Sequence, residues 1–349
     1  MTVDEAYIKL AEKNGKPDSE TLHRILEKAV TPEEARFILE LPASNADLAA
    51  KFNMGEKAVE NKIKDLSQRG LLVASRRGYR YPGSLGTLHD NILASAPRYI
   101  PPGMDKLWMD FYEGGWWREA ADELIAMGNP ILRAILAPKV IPPGVELLPN
   151  ESIEALLNAN KELISVRNCC CRVMAKKCDR PIFTCTQFGR RAEYDLFRGS
   201  GKKVSADEAM AVSLKATEAG LVPTVTNIRA MEALEFICYC CSCCCVVLEP
   251  ASRVGKVNEV LASSRFVVKV DNEICNGCEE CVSQCFFGAI EMKKVPGFDT
   301  PKAVIDAEKC RGCGVCALKC EPGAMTMELV KPPEHIPETI TGPAMIVHG

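Results

Sequence analysis

Eight cysteines between residues 275 and 320 constrain this chain more than any other feature. Cys275, Cys278, Cys281 and Cys285 are followed by Cys310, Cys313, Cys316 and Cys320, each 35 positions after its counterpart. Both sets read C-x2-C-x2-C-x3-C. Soft thiolates at that spacing suit iron–sulfur cubanes, since short loops wrap a cube and turn successive ligands toward it. Gly277, Gly312 and Gly314 lie between the ligands, where the backbone must bend tightly. A zinc ribbon pairs two C-x2-C knuckles per metal and leaves this register unexplained.

Cysteine use also organises the rest of the chain. Residues 1–168 contain none, residues 169–245 contain eleven, and the remaining eight form the two sets. The start of the chain shows no basic stretch followed by an apolar core, and no apolar run reaches the length of a membrane span. These features predict a cytoplasmic protein of a reducing or anaerobic setting, in which dense cysteine means metal ligation rather than disulfides. The four histidines (His23, His89, His335, His348) stand apart in sequence from the cysteine segments, so thiolate is the expected ligand. A formal net charge of −3 gives no general bias toward nucleic acid or membrane.

The expected fold class is α+β and multidomain. A helical module occupies residues 1–85, a Trp- and Pro-bearing connector 86–150, a Cys-rich metal-binding domain 151–262, a two-cluster domain 263–330, and a tail 331–349. In the first module Thr31-Pro32-Glu33-Glu34 is a helix start, with Thr as cap and Pro in the first turn. A short helix over 45–52, a turn at 53–55 and a helix from about 56 to 69 follow, the last with Val59, Ile63 and Leu66 on one face. Strands over 71–74 and 79–81 flank an Arg76-Arg77-Gly78 turn. Helix, turn, helix and hairpin in that order resemble a winged helix-turn-helix. Lys57, Lys62, Lys64, Gln68 and Arg69 on the second helix, with Arg76, Arg77 and Arg80 on the wing, form a candidate phosphate-contacting face. Many such modules bind only protein, and the same charges suit a solvated surface. Trp108, Trp116 and Trp117, with Phe111 and Tyr112, fit either core packing or a docking face.

The C-terminal repeat resembles bacterial two-cluster ferredoxins. That resemblance implies a (βαβ)2 domain, with strands near 266–270, 288–292, 303–305 and 324–329. It also implies crossed ligation: Cys275, Cys278, Cys281 and Cys320 on one [4Fe–4S] cluster, and Cys310, Cys313, Cys316 and Cys285 on the other. The proline that usually follows the fourth cysteine is Phe286 in the first set and arrives one place late, as Pro322, in the second.

The central segment carries Asn168-Cys169-Cys170-Cys171-Arg172, then Cys178-Asp179-Arg180-Pro181 and Cys185, then Phe236-Ile237-Cys238-Tyr239-Cys240-Cys241-Ser242-Cys243-Cys244-Cys245. With the repeat behind it, this region resembles a family of multi-cluster 4Fe-4S proteins from anaerobic microbes. Its pattern matches Cys169, Cys171, Cys178, Cys185, Cys238, Cys240, Cys241, Cys244 and Cys245, leaving Cys170 and Cys243 as additions. One or two further clusters are implied. One division gives Cys169, Cys171, Cys178 and Cys185 to one cluster and four of the 238–245 run to another. Interleaved ligands, a non-cubane cluster or a four-thiolate zinc remain open. Arg172, Lys176, Lys177 and Arg180 are candidates to stabilise a reduced cluster, or to contact an acidic partner or anionic substrate.

These readings favour an electron-transfer protein that relays single electrons through several [4Fe–4S] clusters, as a subunit or adaptor of an anaerobic oxidoreductase. Its expected partner is a redox protein or larger complex, and homo-oligomerisation stays open. A redox-sensing regulator that binds DNA is the alternative, and a reductase with substrate at the central clusters a further one. No catalytic residue can be assigned, and no Gly-rich nucleotide loop follows a strand.

Overall fold

The protein is represented by a computed structural model that describes residues 3–75 and 77–339. Arg76 of the expected wing and positions 340–349 of the tail lie outside the described residues.

Five helices open the chain: α1 (Glu5–Lys13), α2 (Glu20–Ala29), α3 (Pro32–Leu39), α4 (Asn45–Lys51) and α5 (Glu56–Gln68). Helix α3 starts where the sequence places it. The Thr31 hydroxyl accepts from the Glu34 amide, and the Glu34 carboxylate accepts from the Thr31 amide, a reciprocal capping box. Val59, Ile63 and Leu66 of α5 are buried as their 3.6-residue spacing requires. The hairpin β1 (Val73–Ser75) and β2 (Gly78–Arg80) follows. Much of the basic face is internally paired: Arg69 bridges Glu34 at 2.6 Å and Asp65 at 2.7 Å, and Lys57 bridges Glu60 at 2.9 Å.

Helices α6 (Leu85–Leu93), α7 (Met104–Phe111) and α8 (Trp117–Ala126) complete this half, the last two joined by a π-helical turn over Tyr112–Trp116. Trp108 and Trp116 are buried, with their rings 5.3 and 5.4 Å from that of His89. These two tryptophans therefore belong to the core, and Trp117 is half-buried beneath Arg253.

The rest of the chain contributes a seven-stranded sheet that the sequence reading did not anticipate. It comprises β3 (Leu132–Ala134), β4 (Ile164–Asn168), β5 (Phe183–Phe188), β6 (Gly201–Val204), β7 (Val222–Thr226), β8 (Phe236–Cys240) and β9 (Leu261–Ala262). The order is β6-β4-β5-β8-β7-β3-β9, antiparallel throughout except between β3 and β9. Strand β3 comes from the segment read as a connector, which thus supplies part of this sheet. Both faces are covered, so β4 and β7 are buried along almost their whole length, including Ser165 and Arg167 at the polar positions of β4. The intervening helices are α9 (Ile153–Ala159), α10 (Cys170–Ala175), α11 (Gly189–Arg198) and α12 (Ala206–Glu218), with α13 (Leu248–Arg253) and α14 (Val257–Val260) after β8. The pleat of β8 sends Ile237 and Tyr239 into the core beneath α12 and turns Cys238 and Cys240 to the opposite side.

The ferredoxin-type domain runs β10 (Phe266–Val270), α15 (Glu280–Gln284), β11 (Ile290–Lys293), β12 (Lys302–Ile305), α16 (Val315–Leu318) and β13 (Met325–Leu329). This is βαβ twice. Strands β10 and β13 pair antiparallel, as do β11 and β12. The 35-residue period extends beyond the cysteines. Asp271 accepts from the Glu273 amide at 2.9 Å, and Asp306 accepts from the Glu308 amide at 3.0 Å. Their carbonyls accept from the Cys275 and Cys310 amides. Gly314 turns left-handed at φ +75°, and its counterpart Glu279 adopts the same turn at φ +65°.

This domain is built into the molecule rather than tethered to it. The Ala137 amide donates to the Cys313 carbonyl at 2.9 Å. Glu151 and Arg265, both buried, form a two-pronged ion pair with a 2.7 Å contact. The tail residues 331–339 lie against the sheet, with Lys331 donating to Ser263 at 2.6 Å and Arg229 bridging Glu338 at 2.6 Å.

Candidate metal centres

The eight repeat cysteines fall into two cavities. One is lined by Cys285, Cys310, Cys313 and Cys316; the other by Cys275, Cys278, Cys281 and Cys320. The fold therefore brings the fourth cysteine of each set to the first three of the other. Two strand pairings are the reason: β10 with β13 lays Cys320 beside the start of the first set, and β11 with β12 lays Cys285 beside the start of the second. Gly312 is required at its turn. A Cβ there would come within 2.2 Å of the Phe266 carbonyl oxygen and the Ser264 hydroxyl. Burial pushes the Cys313 thiol up to about 12 and the Cys281 thiol up to about 11. Ionising them without a cation is costly, whereas iron at the cavity centre would favour the thiolates. The donor set, the cavities and the tight turns fit [4Fe–4S] clusters.

The eleven central cysteines form two groups that draw on both segments. Cys178 joins Cys241, Cys243 and Cys244, with all four sulfurs within 4.8 Å of one another. The sulfur–sulfur contacts are 3.7 Å from Cys178 to Cys244 and 3.6 Å from Cys243 to Cys244. The other six are linked in a ring by electrostatic side-chain interactions between neighbouring thiols, in the order Cys169, Cys171, Cys245, Cys240, Cys238, Cys185 and back to Cys169. Local geometry explains the ring. Cys185 on β5 lies beside Cys238 in the antiparallel register, and Cys238 and Cys240 share one face of β8. Cys169 caps α10, and Cys245 precedes α13.

This arrangement departs from the division by segment. Cys178 leaves Cys169, Cys171 and Cys185, and the two stretches interleave, because β5 and β8 are sheet neighbours. Cys243, read as an addition, is one of the compact four. Cys170 stands outside both groups, its sulfur 3.7 Å from that of Cys171; the Cys171 contact pulls its thiol down, but burial with the nearby Asp90 charge keeps it up at about 12.

His89 stands far from the cysteines in sequence, yet the fold brings it near Cys169 and Cys245. It is fully buried on α6, which packs on α10, and it interacts electrostatically with Cys169 and Cys245. Neither ring nitrogen has a hydrogen-bond partner, and burial lowers its pKa to about 4. No local signal in the sequence marks it, since only the packing of α6 brings it to the ring.

The four basic candidates have different surroundings. Arg172 is buried at 2% exposure, out of reach of a partner protein. Its guanidinium donates to the Pro181 carbonyl at 2.9 Å, the Tyr239 carbonyl at 2.7 Å and the Thr184 hydroxyl. Burial opposes its charge, yet Cys169, Cys185, Cys241 and Cys240 together raise its pKa, so it sits between the two thiol groups. Lys176 is exposed and paired with Asp105, while Lys177 pairs with Glu113 at 3.1 Å. Arg180 lies 4.7 Å over the Phe286 ring, donates to the Ala219 carbonyl at 3.0 Å and places a nitrogen 3.8 Å from Cys243 Sγ. Phe286, the residue in place of the usual proline, thus joins the Cys285 turn to the compact group.

Residues 274–324 match the family model for the 4Fe-4S dicluster domain, a span that includes all eight thiols of the two cavities. No curated protein matches the chain, and no solved structure does. Among the described residues no helix is long and apolar enough to cross a membrane.

Proposed function

We propose that this protein relays single electrons between a donor and an acceptor protein, as a subunit or adaptor of an anaerobic oxidoreductase. The observation that carries the reading is continuity. Phe286 packs both against the core holding Cys178, Cys241 and Cys244 and against the core holding Cys240, Cys245 and Cys313. The ferredoxin cavity and both central thiol groups therefore share one packed interior.

In this reading Cys275, Cys278, Cys281 and Cys320 hold one [4Fe–4S] cluster, and Cys285, Cys310, Cys313 and Cys316 the other. The six-thiol ring supplies ligands for a third iron–sulfur centre, with Thr224 3.5 Å from Cys240 Sγ and Arg172 offsetting its negative charge. Cys278 is exposed, which makes the Cys278 cavity the entry or exit for a redox partner. The clusters would supply the one-electron chemistry, and the chain fixes their spacing and charge environment. A DNA-binding role has less support, because Arg69 and Lys57 are already ion-paired.

Anaerobically purified protein should contain about twelve irons per chain, from three four-iron centres. Low-temperature electron paramagnetic resonance during a reductive titration should show interacting one-electron signals. Colourless protein, or signals with no magnetic coupling between centres, would remove the relay.

A further inference from the structure

The compact group of Cys178, Cys241, Cys243 and Cys244 differs from every other cysteine set in the molecule. Four ligands around one zinc or iron ion, each with a metal–sulfur bond of about 2.3 Å, place their sulfurs about 3.8 Å apart along the edges of a tetrahedron. The contacts of 3.7 and 3.6 Å, and the 4.8 Å limit on all pairs, fit that tetrahedron. A cubane interposes four irons and four sulfides between its thiolates and holds them much farther apart. Among the described residues this is the one group of three or more metal-ligand side chains drawn so close; neither ferredoxin set is.

We propose that these four cysteines bind a single borderline-soft divalent ion, zinc or iron, as a closed tetrathiolate site. It is separate from the iron–sulfur centres and does not depend on the relay reading.

Three further observations support a built site. Its ligands come from two distant stretches, the loop after α10 and the turn after β8, so the ion would tie two loops that the sheet alone leaves separate. Cys241 and Cys244 are buried while Cys178 and Cys243 are half-buried, which suits a structural ion reached from one side. Four thiolates around a divalent ion carry a net charge of −2. Arg180, 3.8 Å from Cys243, and Arg172, whose pKa Cys241 helps to raise, supply two compensating positive charges. All four positions of the tetrahedron are protein-filled, so the site is suited to holding structure or passing an electron, not to binding substrate. Phe286 lies against it through Arg180, and the ion would fix the surface on which the ferredoxin domain packs.

The test uses the full chain, purified anaerobically as wild type and as Cys243→Ser. Metal analysis of the wild type should give about one ion per chain beyond the iron bound in four-iron units. In Cys243→Ser that one ion should be lost or severalfold depleted, with the remaining iron unchanged. X-ray absorption on the wild type reads the same site without a substitution. A zinc-edge spectrum with four sulfurs at about 2.3 Å assigns zinc. If no zinc is present, a high-spin ferrous tetrathiolate doublet in the Mössbauer spectrum assigns iron. Loss of about four irons from Cys243→Ser would show a cubane, and a wild type with no single ion would show free thiols. Either result overturns the proposal.

Discussion

Glu151→Gln tests whether the ferredoxin domain is mechanically part of the central sheet. Glu151 is 1% exposed and its partner Arg265 is 5% exposed. Arg265 Nε lies 3.0 and 2.9 Å from the two carboxylate oxygens, and an Nη lies 2.7 Å from one of them. A second guanidinium, Arg133, is fully buried nearby. Burial lowers its pKa to about 10, against the opposing pull of Glu151. One carboxylate therefore offsets two buried cations. Removing one member of such a pair costs about 3–5 kcal/mol, since the surviving charge is left uncompensated. That is a large share of the roughly 5–15 kcal/mol by which a domain is usually stable. Replacing both partners, as Glu151→Gln with Arg265→Met, removes the stranded charge at Arg265 and should recover about 2 kcal/mol or more of the loss. Urea unfolding under argon supplies the assay, followed by cluster absorbance and by far-ultraviolet circular dichroism. The single variant should lower both midpoints together. A cost of under about 1 kcal/mol, a double variant equal to the sum of its singles, or a shift in the cluster signal alone would refute the reasoning.

Cys278→Ala should lose about four irons and leave the central centres in place, read by iron quantification and visible absorbance. Arg180→Met removes the cation over Phe286 and a hydrogen bond to Ala219; unfolding should show a loss of about 1–3 kcal/mol. His89 has a folded pKa lowered to about 4 by burial, so below pH 6.5 the unfolded state takes up its proton first. Between pH 6.5 and 5 this should cost the native state about 2 kcal/mol. His89→Gln should flatten the stability–pH curve over that window, and an unchanged slope would count against the burial argument. Purified protein should leave duplex DNA unshifted at low salt; a salt-dependent shift would revive the regulator.

The three-cysteine loops were legible because their ligand code is local, whereas the exchange of the fourth cysteines was implied only by the ferredoxin resemblance. Seven or so residues fix each three-cysteine loop, and a repeat at 35 positions survives any change around it. The same holds for the Thr31 capping box and for the buried face of α5, where a short period dictates the outcome. The central sheet was not legible. Its strands are short and buried on both faces: β7 shows no alternation, β4 alternates over only four residues, and β3 and β9 are too short to leave a pattern. Without that sheet, Cys185 and Cys238 have no reason to meet.

The chemical character of the candidate ligands was thus written in the chain itself: thiols, many of them, with iron–sulfur spacing at the C-terminus. Tertiary structure decided their partition. Strand register set Cys185 beside Cys238, the turn after β8 carried Cys241, Cys243 and Cys244 to Cys178, and helix packing brought His89 to the ring. The physical reason is that spacing along the backbone governs only contacts within one loop. Which loops converge depends on burying apolar surface across the whole sheet, and that is a property of no single segment.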